Sequence, residues 1–154
     1  MMVTLIKPEQ AMDHLRRLAL PAARIVSDTR QIKVGDVFLA YRVGHGAAIQ
    51  DNRPYIADAL DAGVAAVIYD PTDLEGILAL NDARCFALEH LSAHAGLICS
   101  EWYGNPSGQM MVFGVTGTNG KTSITQWLSH ALDRPKSRTA VIGTLGIGYP
   151  GHLE

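Results

Sequence analysis

The run Gly114-Val115-Thr116-Gly117-Thr118-Asn119-Gly120-Lys121-Thr122-Ser123 constrains this chain more than any other part of its sequence. Apolar Met110-Met111-Val112-Phe113 precede it and predict a strand over 110–115. Ile124, Trp127, Leu128 and Ala131 follow at a spacing that predicts an amphipathic helix over 121–132. A strand, a glycine-rich turn and a helix in that order form the setting of a phosphate-binding loop. Gly117 and Gly120 let the backbone take φ > 0 and approach an anion with no Cβ in the way. The exposed N–H groups of Gly117, Thr118, Asn119 and Gly120, with the helix start at Lys121, Thr122 and Ser123, then point at phosphate oxygens. Lys121 adds a full charge, an attraction on the order of 4 kcal/mol at about 4 Å and an effective dielectric near ~20, before desolvation. The helix dipole contributes roughly 0.3–2 kcal/mol, so the lysine dominates. Thr122 offers a hydroxyl to Mg²⁺. The spacing departs from the general G-x-x-x-x-G-K-[ST] form, because its first glycine falls on Val115 and Gly114 lies one residue early. The alternative is a glycine-rich strand-to-helix turn with a surface lysine; the flanking periodicities and the Gly-Lys-Thr-Ser ending weigh against it.

The residues before this loop alternate between strand and helix patterns. Ala11, Met12, Leu15 and Leu18 recur at helical spacing behind Pro8. Arg24-Ile25-Val26 and Asp36 to Tyr41 predict short strands, and a helix is expected from Arg53-Pro54 through Ala62, stopped by Gly63. Val64-Ala65-Ala66-Val67-Ile68-Tyr69 is a continuous apolar run, the mark of a strand buried on both faces of a parallel sheet. A short helix near Leu74–Leu80, a strand at Cys85–Leu88 and a helix over Leu91–Tyr103 complete an α/β pattern. Gly104-Asn105-Pro106-Ser107-Gly108 gathers breaker residues and predicts a linker. The expected organisation is a small mixed α/β domain at 1–107, then a unit at 108–154. That unit holds the first strand, phosphate loop, helix and second strand (Thr139–Ile142) of a parallel-sheet domain.

Of the 154 residues, 47% are hydrophobic and 18% charged, with 13 basic and 15 acidic side chains and no long run of either sign. A nucleic-acid binder would carry a basic face, and none is written here. No window approaches the roughly 18 apolar residues that span a bilayer, and the apolar patch at the amino terminus is too short for a signal-peptide core. A cytoplasmic location is therefore expected, with Cys85 and Cys99 as buried free thiols rather than a disulfide or metal pair.

Four ordered motifs resemble those of the Mur ligase family. The loop from Gly114 to Ser123 is similar to its nucleotide loop, and Asn119 before Gly120 resembles the members that add the third residue of the peptidoglycan stem peptide. Ser27-Asp28-Thr29-Arg30 followed by Gly35-Asp36-Val37-Phe38-Leu39-Ala40 resembles the family's Asp-Ser-Arg and Gly-Asp-Leu-Phe signatures. Gly44-His45-Gly46-Ala47 is similar to its Gly-His-Gln-Ala segment, and Gly143-Thr144-Leu145-Gly146 to its Gly-Thr-Leu-Gly segment. Thr29 stands where the family has Ser, keeping the hydroxyl and adding a methyl group. Gly46 replaces Gln and removes an amide.

The resemblance implies a reaction: ATP phosphorylates the terminal carboxylate of a UDP-N-acetylmuramoyl dipeptide, and the amine of a diamino acid, meso-diaminopimelate or lysine, displaces phosphate. It places the UDP end on the first domain, at Ser27, Thr29, His45, Gly46 and Ala47. It places ATP on Gly117, Thr118, Asn119, Gly120, Lys121, Thr122 and Ser123, with Lys121 catalytic and Thr122 on Mg²⁺. The segment that selects between diaminopimelate and lysine is absent from this sequence, and diaminopimelate is the expected amine from the family's breadth. The family's modified lysine, further magnesium ligands and amino-acid-selecting domain would lie past Glu154, so the chain is expected to be a fragment inactive alone. Folylpolyglutamate and cyanophycin synthetases share a similar loop without the Ser27–Arg30 and Gly35–Ala40 segment. A non-catalytic UDP-sugar-binding or nucleotide-sensing module is the alternative from another class.

Overall fold

The computed structural model describes residues 4–44, 49–73 and 82–153. They divide into two compact units, Met1–Gln109 and Met110–Glu154. In the first, helix α1 (Pro8–Leu18) precedes strands β1 (Ile25–Val26) and β2 (Val37–Ala40) and a small hairpin, β3 (Arg42–Val43) with β4 (Gln50–Asp51). Helix α2 (Ile56–Asp61), strand β5 (Ala66–Tyr69), strand β6 (Cys85–Ala87) and helix α3 (Leu91–Trp102) follow. The helix expected near Leu74–Leu80 lies outside the described residues.

Strands β1, β2, β5 and β6 pair in that order, all parallel, with Val37 opposite Ala66 and Val67 opposite Cys85. Every residue of β2, β5 and β6 is buried, which is why their sequences run apolar without alternation. The pleat still sorts the side chains. Val37, Leu39, Ile68 and Phe86 join Met12 and Leu15 of α1 and Leu91 and Ile98 of α3. Phe38, Ala40, Val67 and Tyr69 join Ile56 and Ala59 of α2 on the opposite face. Each fully buried Val, Leu, Ile or Phe stabilises this packing by roughly 1.5–3 kcal/mol. The mixed α/β class expected from the sequence is the class observed.

Local chemistry sets the ends of these elements. Pro8 opens α1, where its missing N–H costs nothing. Gly63 takes φ 84° after α2, a left-handed stop that a side chain would strain. Trp102 and Tyr103 anchor the end of α3: Trp102 Nε1 donates to the Ala23 carbonyl at 2.8 Å, and the Ile25 N–H donates to the Tyr103 hydroxyl at 2.9 Å. Cys85 is buried and Cys99 half-buried, both free, and burial pushes the Cys85 thiol up to about 11.

The second unit contains helix α4 (Lys121–Leu132) and strands β7 (Val141–Gly143), β8 (Gly146–Tyr149) and β9 (His152–Leu153), which form an antiparallel sheet. Two expectations are corrected here. Residues 111–116 join no strand ladder, and Met111 and Phe113 are 82% and 55% exposed. A strand requires a neighbour to take its N–H and C=O groups, and among the described residues none lies beside this run. The strand expected at Thr139–Ile142 exists as β7 but is paired antiparallel, because only Thr144 and Leu145 separate it from β8. A parallel pair needs a crossover of about a dozen residues or more.

Candidate functional site

Because β1, β2, β5 and β6 are parallel, their carboxyl ends open on one edge of the sheet, where open α/β sheets bind ligands. Ser27 and Thr29 lie there, directly after β1. Ser27 is exposed and Thr29 half-buried in a 3₁₀ turn, Thr29–Gln31. Asp28 caps that turn by accepting the Arg30 N–H at 3.0 Å and takes the Arg30 guanidinium as well. The guanidinium holds the Asp28 carboxyl at about 2, well below its ordinary value. The pair fixes the turn while leaving the Ser27 and Thr29 hydroxyls free of protein partners among the described residues. His45, Gly46 and Ala47, expected beside them, lie outside the described residues.

The same edge carries a polar network that the sequence did not announce. Arg53 is 1% exposed. Its Nε and one terminal nitrogen donate to Asp51 at 2.8 and 2.7 Å, and the other terminal nitrogen donates to the carbonyls of Asp70 and Thr72. Arg42 donates to Asp51 and Asp73, and Asp70 accepts from the Leu91 N–H at 3.0 Å, capping α3. The only signals in the sequence are the turn formers Asp51, Asn52 and Pro54, which foretell a bend and not a buried cation.

A hollow of about 360 Å³ lies near the starts of α1 and α3, lined in part by Leu5, Pro8, Leu88, His90 and His94. It holds none of the candidate residues, and Asp70 already takes the Leu91 N–H at the α3 end. Among the described residues, no three His, Cys, Asp or Glu side chains group as a metal site.

In the second unit, residues 117–120 form a bend rather than an extended strand. Gly117 takes φ 146° and Gly120 φ 76°, conformations that disfavour any side chain. Gly120 caps α4, and the Ile124 N–H donates to its carbonyl at 2.9 Å. No group among the described residues accepts from the N–H groups of Gly117, Thr118, Asn119 or Gly120. Lys121 folds back so that its Nζ donates to the Gly117 carbonyl and reaches the Thr118 carbonyl at 3.5 Å. Ser123 sits exposed in the first turn of α4. The Thr122 and Thr144 hydroxyls are 3.2 Å apart, so the turn after β7 meets the start of α4. Unclaimed amide donors, a lysine over the loop and a helix N-terminus are what a polyphosphate needs. A threonine hydroxyl such as that of Thr122 is a hard oxygen of the kind Mg²⁺ prefers.

A glycine-rich bend at a helix start is a feature that phosphate-binding loops share. Residues 115–153 match the model of the Mur ligase middle domain, and relatives extend the match over most of the chain. The UDP-N-acetylmuramoyl-L-alanyl-D-glutamate–2,6-diaminopimelate ligase of Ralstonia nicotianae is 43% identical over 141 residues, covering 90% of this chain and 27% of that protein. The ligase of the same name from Pseudomonas aeruginosa is 43% identical over 127 residues, covering 82% and 25%. The solved MurF ligase of Thermotoga maritima, in complex with ADP, aligns with a TM-score of 0.54 at 26% identity, over 73% of this chain and 23% of that one. A solved 2,6-diaminopimelate ligase aligns in fold with a TM-score of 0.56 at 23% identity, over 84% and 25%. The chain belongs to the Mur ligase family. It spans about a quarter of the length of the curated relatives it matches.

Proposed function

We propose that this chain carries the UDP-substrate and ATP-phosphate segments of a cytoplasmic amide-bond ligase of peptidoglycan precursor synthesis. The reaction adds a diamino acid, meso-diaminopimelate, to UDP-N-acetylmuramoyl-L-alanyl-D-glutamate. Residues 1–107 form the UDP-substrate domain and 108–154 the start of the central ATP-binding domain. The dipeptide's terminal carboxylate takes the γ-phosphoryl group of ATP, giving an acyl phosphate and ADP. The amine then attacks the acyl carbon and phosphate leaves. The N–H groups of residues 117–120 receive the phosphates, and Lys121 leaves the Gly117 carbonyl to stabilise charge on the transferring group. Ser123 adds its N–H at the helix start. Thr122 holds Mg²⁺, which neutralises the phosphate oxygens. Ser27 and Thr29, with His45, Gly46 and Ala47, hold the uridine nucleotide.

The observation that supports this most is the bent loop with left-handed glycines and unclaimed amide donors, in a chain 43% identical to a diaminopimelate ligase. Calorimetry with Mg·ATP and with the UDP-muramyl dipeptide, each alone, tests it. Both ligands should bind, and Lys121→Ala should weaken only ATP, by about tenfold or more. Binding of the UDP compound alone would instead mark a non-catalytic module, and ATP binding without UDP affinity a nucleotide sensor.

A further inference from the structure

Asn52 stands between β4 and the buried Arg53, and its carboxamide reaches three segments at once. Its Oδ1 accepts the Tyr41 N–H at 2.6 Å, while its Nδ2 donates to the Ser27 carbonyl at 2.7 Å and the Leu39 carbonyl at 3.1 Å. The orientation of the amide is unambiguous, since turning it over would set its oxygen against two carbonyls and its NH₂ against an N–H. The ladder between β1 and β2 ends at the pair Val26–Phe38, one residue before Ser27. Asn52 takes over where the backbone pairing stops, and ties the exit of β1 to the end of β2. It is itself held: Asp51 before it grips Arg53, and the Tyr55 N–H donates to its carbonyl at 3.2 Å.

We propose that Asn52 is a positioning residue for the uridine-nucleotide site, fixing the Ser27–Thr29 turn so that its hydroxyls face a bound UDP group. The inference rests on the reading that Ser27 and Thr29 hold the UDP end. Asn52 touches no ligand in this role. It acts through the Ser27 carbonyl, and the loss of its two donors frees the first residue of the turn while the buried sheet behind stays paired.

Asn52→Asp is the discriminating substitution, because it keeps an acceptor for Tyr41 and loses both donors. Calorimetry on the full chain, with UDP-N-acetylmuramoyl-L-alanyl-D-glutamate and separately with Mg·ATP, reads the two sites independently. Circular dichroism and a thermal melt report whether the variant is folded. The expected result is a loss of about tenfold in affinity for the UDP compound with Mg·ATP affinity unchanged. That loss should shrink toward acid pH, where a neutral carboxyl regains one donor, a recovery the unsubstituted chain does not show. If Asn52→Asp does not fold, Asn52→Ser takes the same measurements with the same expected direction. Unchanged UDP affinity in a folded Asn52 variant, with weakened binding in Ser27→Ala, overturns the positioning role alone. Unchanged affinity in both variants overturns the UDP reading and this inference with it. Equal losses at both sites also overturn it, since they would mark a contribution to folding only.

Discussion

Arg53 and its partners show how much one residue can carry. Its guanidinium meets a carboxylate on two nitrogens and two carbonyls on the third, so each of its nitrogens has a partner. Replacing it by Ala leaves the Asp51 carboxylate without its main partner and two carbonyls without donors. Removing one member of a buried ion pair costs about 3–5 kcal/mol, and Arg53→Ala should lower the urea midpoint of the first unit accordingly. Arg53→Lys should recover only part of this, because an ammonium cannot serve a carboxylate bidentately.

The same pairs set an acid limit. Hydrogen bonding to Arg53 holds the Asp51 carboxyl at about 2, and Arg84 does the same for Asp82. Both folded values lie below the ordinary 3.8, so between these values the unfolded chain binds more protons than the folded one. The stability from these pairs is complete above about pH 4 and is lost as pH falls toward about 2. Urea midpoints measured from about pH 5 down to 2 should decline across that window. Arg53→Ala should flatten part of the decline.

Among the elements, β2 and the run at 110–115 make opposite cases. Both sequences are apolar and both predict strands. Val37 and Phe38 are paired on two sides, Leu39 and Ala40 on one, and helices bury both faces, while Met110 to Phe113 are exposed and unpaired among the described residues. Hydrogen exchange on the 154-residue chain should therefore show slow amides across β2 and β5 and unprotected amides across 111–115. Strong protection in 111–115 would contradict this arrangement. Helix α4 begins without such a partner, at Gly120, whose carbonyl accepts the Ile124 N–H. The glycine-rich loop at 117–120 keeps its bend without a strand feeding it.

At the scale of the whole molecule, binding and catalysis separate. The phosphate binding proposed for residues 117–121 asks only for amide donors and a lysine, all local in sequence. Amide ligation asks in addition for further ligands to magnesium and a site for the amine, which we propose lie outside residues 117–121. Given ATP, Mg²⁺, the UDP-muramyl dipeptide and diaminopimelate, the 154-residue chain should release no ADP. A dipeptide-dependent release of ADP would refute this.

The sequence alone determined whatever depends on neighbours in the chain. Periodicity placed α1 at Pro8–Leu18 and α4 at Lys121–Leu132, apolar runs placed β2 and β5, and the Gly-Lys-Thr-Ser ending located the bent loop. These follow from steric and hydrophobic rules that act over a few residues. Only the tertiary structure decided which strands found partners. It left 110–115 unpaired, turned β7 antiparallel onto β8, and buried Arg53 and half-buried Asn52 beneath the edge where Ser27 and Thr29 emerge. Pairing and the burial of a charge depend on residues distant in sequence that meet only when the chain has folded, and local pattern carries no record of them.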